Sequence, residues 1–234
     1  MSAPGVNSVS TAEFTVMQVL ALWKRAYEIH DRVRQRDYRR ALYHGRELAG
    51  TTAGVIGYGS IGKHVVDRLR PFVREVRVYD RAQASRCAIS VGNVHFVTSI
   101  GALLPACDVV LLCVTLAGNE RMVDAQFLAQ CRDDVLIMNT ARGGLVDDRA
   151  LMDFLQTHPA AHYACDVVAP EPDYTLAPDR QRYRHALFEL PNVTFTPHIA
   201  NLTPECQERI ARVVAQQVLE RLRVAAPTPA YGHP

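Results

Sequence analysis

The hexapeptide Gly57-Tyr58-Gly59-Ser60-Ile61-Gly62 constrains this chain more than any other segment. It follows an apolar, β-branched run at 51–56 (TTAGVI) and opens a helical pattern, IGKHVVDRLRPF. Strand, glycine turn and helix in that order describe a chain reversal too tight for side chains. A second β-branched run, EVRVYD, then ends in Asp80, eighteen residues past Gly62. Together these parts have the form of a dinucleotide-binding βαβ unit.

Each part has a physical task. Gly57 allows the turn, Gly59 lets a pyrophosphate approach the backbone, and Gly62 lets helix and strand pack closely. The first helical residues, Ser60 and Ile61, present free N–H groups and the positive end of the helix dipole to phosphate. Asp80 can accept hydrogen bonds from both hydroxyls of an adenosine ribose and would repel a 2′-phosphate. That favours NAD over NADP as cofactor, although Arg81 beside it is a residue type that can contact a phosphate. The alternative is a glycine turn with an incidental aspartate.

The rest of the chain repeats the pattern. Apolar runs at 51–57, 75–80, 94–98, 108–114, 134–141, 162–169 and 192–197 alternate with helix-like segments such as VDAQFLAQC and DDRALMDFLQTH. Runs that are apolar throughout suit strands covered on both faces. Alternating strand and helix predicts an α/β fold, a doubly wound parallel sheet of Rossmann type, with flanking N- and C-terminal helices. The first helix is expected from Ser10 or Thr11 to about residue 29, with Met17, Leu20, Trp23 and Tyr27 on its apolar face and Phe14, Val16 and Val19 widening it. An Arg-rich connector follows to Gly50. Residues 170–191 hold four prolines and read as a long surface loop with room for one short helix. Thr203-Pro204-Glu205 starts a last helix to about Val224. The expected division is 1–50 for connection and pairing, 51–200 for dinucleotide binding, 201–226 for the C-terminal helix and 227–234 for a disordered tail.

Composition excludes several classes. A formal net charge of +2 in 234 residues argues against nucleic-acid or membrane partners, and the arginines at 32, 34, 36, 39 and 40 lack an aromatic stacking platform. No stretch has the uninterrupted apolar length of a membrane span, and MSAPGVNSVSTAEF lacks the order of a signal peptide. Six cysteines include no CxxC pair. Reduced thiols, no metal site and a cytoplasmic location are therefore expected.

Hydride transfer at a 2-hydroxy or 2-oxo carbon needs a cation for the carboxylate, a proton-transfer group and a group that orients it. Arg142, Glu171 and His198 follow the runs DVLIMNTA, HYACDVVA and NVTFTP, on the side where doubly wound sheets bind ligands. A solvated loop arginine and a strand-capping histidine are the plain alternatives.

The sequence resembles the D-isomer-specific 2-hydroxy-acid dehydrogenases, closest to the phosphoglycerate dehydrogenase branch. The resemblance runs through Asn7-Ser8-Val9-Ser10-Thr11-Ala12-Glu13, the glycine motif, Asn139-Thr140-Ala141-Arg142-Gly143-Gly144-Leu145-Val146-Asp147, Asp166-Val167 with Glu171-Pro172, and Thr196-Pro197-His198-Ile199-Ala200. It implies that Arg142 pairs with the substrate carboxylate and that His198 is the general acid in reduction and the base in oxidation. Glu171 would hydrogen-bond His198 and favour its protonated form. Asp166 is implied near the nicotinamide carboxamide, and Thr115, Ala141 and His198 along the cofactor. A small 2-hydroxy or 2-oxo acid, phosphorylated or compact, and a homodimer paired through the first helix complete the expectation.

Two features depart from the family pattern. Where relatives carry PLTxxT, this chain has Thr115-Leu116-Ala117-Gly118-Asn119-Glu120, a change that bears on cofactor affinity and substrate access. Relatives also carry a substrate domain ahead of the point where this sequence opens. Two readings follow: an NAD-dependent oxidoreductase, or a truncated and catalytically silent NAD(H)-binding protein or module.

Overall fold

The computed structural model describes residues 5–82 and 90–225. In chain order its main elements are α1 (Ser8–Trp23), α2 (Ala26–Arg34), β1 (Thr52–Ile56), α3 (Ser60–Leu69), β2 (Glu75–Tyr79), β3 (Ser90–Val91) and β4 (Val94–Phe96). Then come α4 (Ile100–Leu103), β5 (Val109–Leu112), α5 (Ala125–Leu128), β6 (Leu136–Asn139), α6 (Asp148–Thr157), β7 (His162–Cys165), β8 (Val193–Phe195) and α7 (Pro204–Ala225).

The strands form one sheet in the order β3-β4-β2-β1-β5-β6-β7-β8. Every neighbouring pair is parallel except the β3–β4 hairpin. The order reverses between β1 and β5, and that switch point opens a crevice at the carboxyl ends of the strands. β1, β5 and β6 are buried at every residue, as central parallel strands must be. One apolar layer joins Val16, Val19 and Trp23 of α1 to Val65, Val66 and Leu69 of α3 over β1 and β2. The other packs Leu103, Phe127, Leu145, Leu151 and Phe154 against the opposite face.

All seven expected strands are present, and β3 is an addition too short for periodicity to reveal. The first helix is corrected. It runs Ser8–Trp23 and ends where Arg25 takes a left-handed φ of 56°, after which the chain restarts as α2. The connector to Gly50 therefore carries a helix. The buried face of α1 is Ala12, Val16, Val19 and Trp23, whereas Met17 and Tyr27 are 46% and 41% exposed. Glu13 pairs with Arg68 of α3 at 3.1 Å. VDAQFLAQC contracts to the single turn α5, and α4 appears where no helix is expected. The 170–191 loop contains one short 3-10 turn, Ala186–Glu189. The expected tail at 227–234 lies outside the described residues. Among those described, no helix is long and apolar enough to cross a membrane.

Candidate active site at the switch point

The glycine turn is built as its sequence requires. Gly57 has φ +98°, and a Cβ there would lie 2.5 Å from the Cys113 carbonyl oxygen. A Cβ on Gly62 would lie 2.1 Å from the carbonyl oxygen of Gly57. Gly59 differs: among the described residues nothing comes within 4 Å of where its Cβ would stand, so that side of the turn is open. α3 starts directly after it and has no side-chain cap, which leaves its first N–H groups to an outside acceptor. Asp80 is fixed at the end of β2 by N–H bonds from Tyr58 at 2.8 Å and Ala82 at 3.0 Å. Each carboxylate oxygen retains acceptor capacity for a ribose hydroxyl.

Two cavities meet at Gly59 and Cys113–Thr115. The first, about 420 Å³, is lined by Gly57, Asp80 and Arg81. The second, about 390 Å³, is lined by Ser60, Ile61, Ala141, Arg142, Asp166 and His198. They form one groove across the ends of β2, β1, β5, β6 and β7. Thr115 reaches both halves.

Arg142 projects from the turn after β6. Buried Asn139 organises that turn, donating to the Arg142 carbonyl at 3.0 Å and to Tyr163 Oη at 3.2 Å while accepting from the Ala141 N–H at 3.0 Å. Gly143 follows because a Cβ there would strike the Val168 carbonyl carbon at 2.1 Å. The exposed Arg142 guanidinium spends one N–H on the Ala141 carbonyl, and among the described residues nothing else engages its fork.

His198 sits in the left-handed region at φ 54°. That conformation costs on the order of 1 kcal/mol for a residue with a Cβ and needs support from its surroundings. Asp166 supplies it. This fully buried carboxylate accepts from Thr196 Oγ1 at 2.6 Å and from the N–H groups of Ile199 at 3.0 Å and Ala200 at 2.9 Å. The Asp166 carbonyl accepts the N–H of His198 itself at 2.8 Å. His198 Nδ1 lies 3.0 Å from Glu171 Oε2, so the other ring nitrogen, Nε2, is the one available to the groove.

Of the residues singled out in the sequence, all line the groove except Gly62, which backs the turn, and Glu171, which stands behind His198. Asn139 and Thr196 support the site through hydrogen bonds that the sequence alone does not reveal. Asn7 and Thr11 line the groove from the start of α1. Tyr174, whose ring meets that of His198 edge-on, carries no sequence signal because it lies in a loop without periodicity.

Residues 16–200 match the model of the D-isomer specific 2-hydroxyacid dehydrogenase, NAD binding domain. The chain belongs to this family. It is 30% identical over 221 residues to D-3-phosphoglycerate dehydrogenase of Bacillus subtilis and 32% identical over 222 residues to that of Archaeoglobus fulgidus. Each alignment covers 94% of this chain and 40% of the relative, so the chain spans well under half the length of these curated relatives. The crystal structure of D-lactate dehydrogenase from Aquifex aeolicus complexed with NAD and lactic acid superposes with a TM-score of 0.82 at 29% identity, covering 94% of this chain and 68% of that one. NAD is the cofactor of this family's domain. The groove fits it through an open glycine face, an uncapped helix N-terminus and a carboxylate after β2.

Proposed function

We propose that this chain is the nucleotide-binding part of an NAD-dependent D-2-hydroxy-acid dehydrogenase, with Arg142, His198 and Glu171 as its chemical residues. The observation that carries this reading is the 3.0 Å contact between His198 Nδ1 and Glu171 Oε2 at the edge of a groove that also holds Arg142. Bound NAD supplies or takes up the hydride. Arg142 holds the substrate carboxylate, for which a planar guanidinium is better shaped than a point charge. His198 Nε2 gives a proton to the substrate oxygen in reduction and takes it back in oxidation. Glu171 fixes the ring orientation and favours the proton on Nδ1. Asp80 favours NAD over NADP. The substrate is a small 2-hydroxy or 2-oxo acid, phosphorylated or compact, in line with the phosphoglycerate dehydrogenases that this sequence resembles.

We also propose a homodimer and a cytoplasmic location. α2 buries none of its side chains, and Met17, Tyr27, Val33, Tyr38 and Leu42 stand exposed along α1, α2 and the segment after them, a surface suited to a second copy. The five cysteines among the described residues are unpaired, which suits a reducing compartment.

One observation favours a second reading, a silent NAD(H)-binding module. The side chains of His198 and Glu171 are 36% and 37% exposed, and an open cleft weakens the pre-organisation that hydride transfer needs. NADH absorbance decides between them, followed with phosphohydroxypyruvate, hydroxypyruvate, glyoxylate, pyruvate and phenylpyruvate, with NADPH as second cofactor. Turnover that His198→Ala abolishes supports the dehydrogenase. Protein that binds NADH and turns over none of these acids overturns it and supports the module.

A further inference from the structure

Glu171 and His198 reach each other from two different loops: Glu171 follows β7, and His198 follows β8. Both side chains are more than a third exposed, and an exposed pair holds itself together only weakly. Its geometry therefore depends on how firmly the backbone beneath each partner is placed. His198 has Asp166 beneath it. Glu171 has Tyr183.

The Tyr183 hydroxyl donates to the Pro170 carbonyl at 2.7 Å. That carbonyl and the Glu171 N–H belong to one planar peptide unit, so fixing the carbonyl sets the placement of the Glu171 Cα. Gln181 ties the other flank. Its Nε2 donates to the Asp173 carbonyl at 2.9 Å, and its Oε1 accepts the Tyr183 N–H at 3.0 Å. The Asp173 side chain in turn accepts from the Thr175 N–H at 2.9 Å. Glu171 thus stands between two backbone carbonyls, at 170 and 173, and both are held by the segment 181–183. That segment is anchored to the strand that leads to His198. The Tyr183 and Phe188 ring centroids lie 6.3 Å apart, and Phe188 packs on Phe195, the last residue of β8, at 4.3 Å. Leu187, beside Phe188, is buried in the core. One line of contacts therefore runs from the Pro170 carbonyl through Tyr183, Phe188 and Phe195 to the turn of His198. Tyr183 lines neither half of the groove, so ligand contact does not account for its placement.

We propose, resting on the reading of His198 and Glu171 as the proton-transfer pair, that Tyr183 is a positioning residue: by donating to the Pro170 carbonyl, its hydroxyl fixes the peptide unit that carries Glu171 and so keeps the Glu171 carboxylate on His198 Nδ1. Burial pushes the Tyr183 phenol above its usual 10, so the hydroxyl keeps the proton it donates through neutral and mildly alkaline pH. Without the hydroxyl, the peptide unit at 170–171 is free to turn. The carboxylate then spends less time on Nδ1, and the ring loses the partner that sets which nitrogen carries the proton.

The test reads the tautomer of His198 and needs no turnover. Long-range ¹H–¹⁵N NMR spectra of protein carrying ¹⁵N-labelled histidine are recorded at about pH 9, above the usual imidazole range. His198→Gln assigns the His198 signal. In the unaltered protein the proton should favour Nδ1, the nitrogen that faces Glu171. Tyr183→Phe should lower the ratio of Nδ1–H to Nε2–H about two- to tenfold, the scale of one net hydrogen bond. Its melting temperature should fall by no more than a few degrees. Glu171→Ala should lower the ratio at least as far, and adding Tyr183→Phe to it should change nothing more. Tyr43→Phe, which removes a hydroxyl bond to a backbone carbonyl in the connector before β1, should leave the ratio alone. A ratio in Tyr183→Phe equal to that of the unaltered protein, with Glu171→Ala lowering it, overturns the proposal. So does an equal fall in Tyr43→Phe. A ratio that Glu171→Ala leaves unchanged overturns the pair itself, and any positioning role with it. Absence of turnover in the unaltered protein bears on the dehydrogenase reading alone, because the tautomer ratio does not depend on it.

Discussion

Thr15 on α1 and Thr140 at the end of β6 bring their hydroxyl oxygens within 2.8 Å of each other, across 125 residues of sequence. Thr15 donates to the carbonyl of Thr11 at 2.7 Å. A hydroxyl has one proton, so Thr140 is the donor between them. Thr140 lines the groove and leads through Ala141 to Arg142. α1 is therefore a strut beneath the loop that carries Arg142, fixed to it by a buried hydrogen bond.

Thr15→Val should cost more than the removal of one methyl-sized polar group implies. It leaves the Thr140 proton buried without an acceptor, a penalty of about 1–3 kcal/mol. Thr140→Val removes the donor and should cost less. The double substitution should cost less than the sum of the two, because no unsatisfied partner remains. Urea denaturation of the four proteins measures all three quantities.

Gly59 and Gly62 should separate ligand binding from folding. Gly59→Ala enters open space at a backbone with φ −77° and ψ −158°. Its expected effect is a melting temperature within a degree or two of the parent and an NADH affinity reduced at least tenfold, about 1.4 kcal/mol. Gly62→Ala drives a methyl into the Gly57 carbonyl at 2.1 Å and should cost more than about 3 kcal/mol or prevent folding. Thermal melts and NADH fluorescence read the two effects. Equal loss of stability in both variants would mean that Gly59 serves the fold rather than the ligand.

The sequence made the sheet legible because long β-branched runs leave no alternative to buried strands, and because Gly57, Gly59, Gly62 and Asp80 occur at a spacing with a mechanism. Arg142, Glu171 and His198 were legible for a related reason: each follows a strand on the ligand side. The break at Arg25 was not legible. Tyr27 and Val33 continue the apolar spacing, yet one left-handed residue redirects the chain, and its neighbours give no glycine or proline signal. The role of Asp166 in holding the His198 turn was equally hidden, since only the fold brings the backbone of 199–200 onto a carboxylate 33 residues away. Tyr174 lies in a loop whose shape depends on side-chain ties at Asp173, Gln181 and Tyr183, and no periodicity encodes such ties.

His162 makes the protein sensitive to mild acid. Burial at the start of β7 pulls its pKa from the usual 6.5 down to about 4, and its Nε2 pairs with Thr194 Oγ1 at 2.9 Å. The unfolded chain therefore binds a proton that the folded chain refuses between these two values. Stability is unaffected by this group above about pH 6.5 and falls as pH drops from 6.5 toward 4. The loss should be on the order of 2 kcal/mol, with partial solvent exposure discounted. His162→Gln, which keeps a polar partner for Thr194, should flatten that part of the curve. Chemical denaturation at pH 7 and pH 4.5 checks it, and parallel curves for the two proteins would remove His162 as the cause.

Asp166→Asn tests whether that buried carboxylate holds His198. Oδ1 accepts from Thr196 and the Ile199 N–H, and Oδ2 accepts from the Ala200 N–H. An amide has one oxygen, so in either orientation its NH₂ must face a backbone N–H that now has no acceptor. The expected cost is about 2–3 kcal/mol, with the loss concentrated in the turn that keeps His198 at φ 54°. Hydrogen exchange should show protection falling at Ile199 and Ala200 well before it falls in β1 or β5. In any preparation that turns over an acid, kcat should drop at least tenfold, because His198 no longer meets the substrate oxygen from a fixed position. Unchanged exchange at 199–200 together with lost turnover would instead point to a direct role for the Asp166 charge in binding the cofactor.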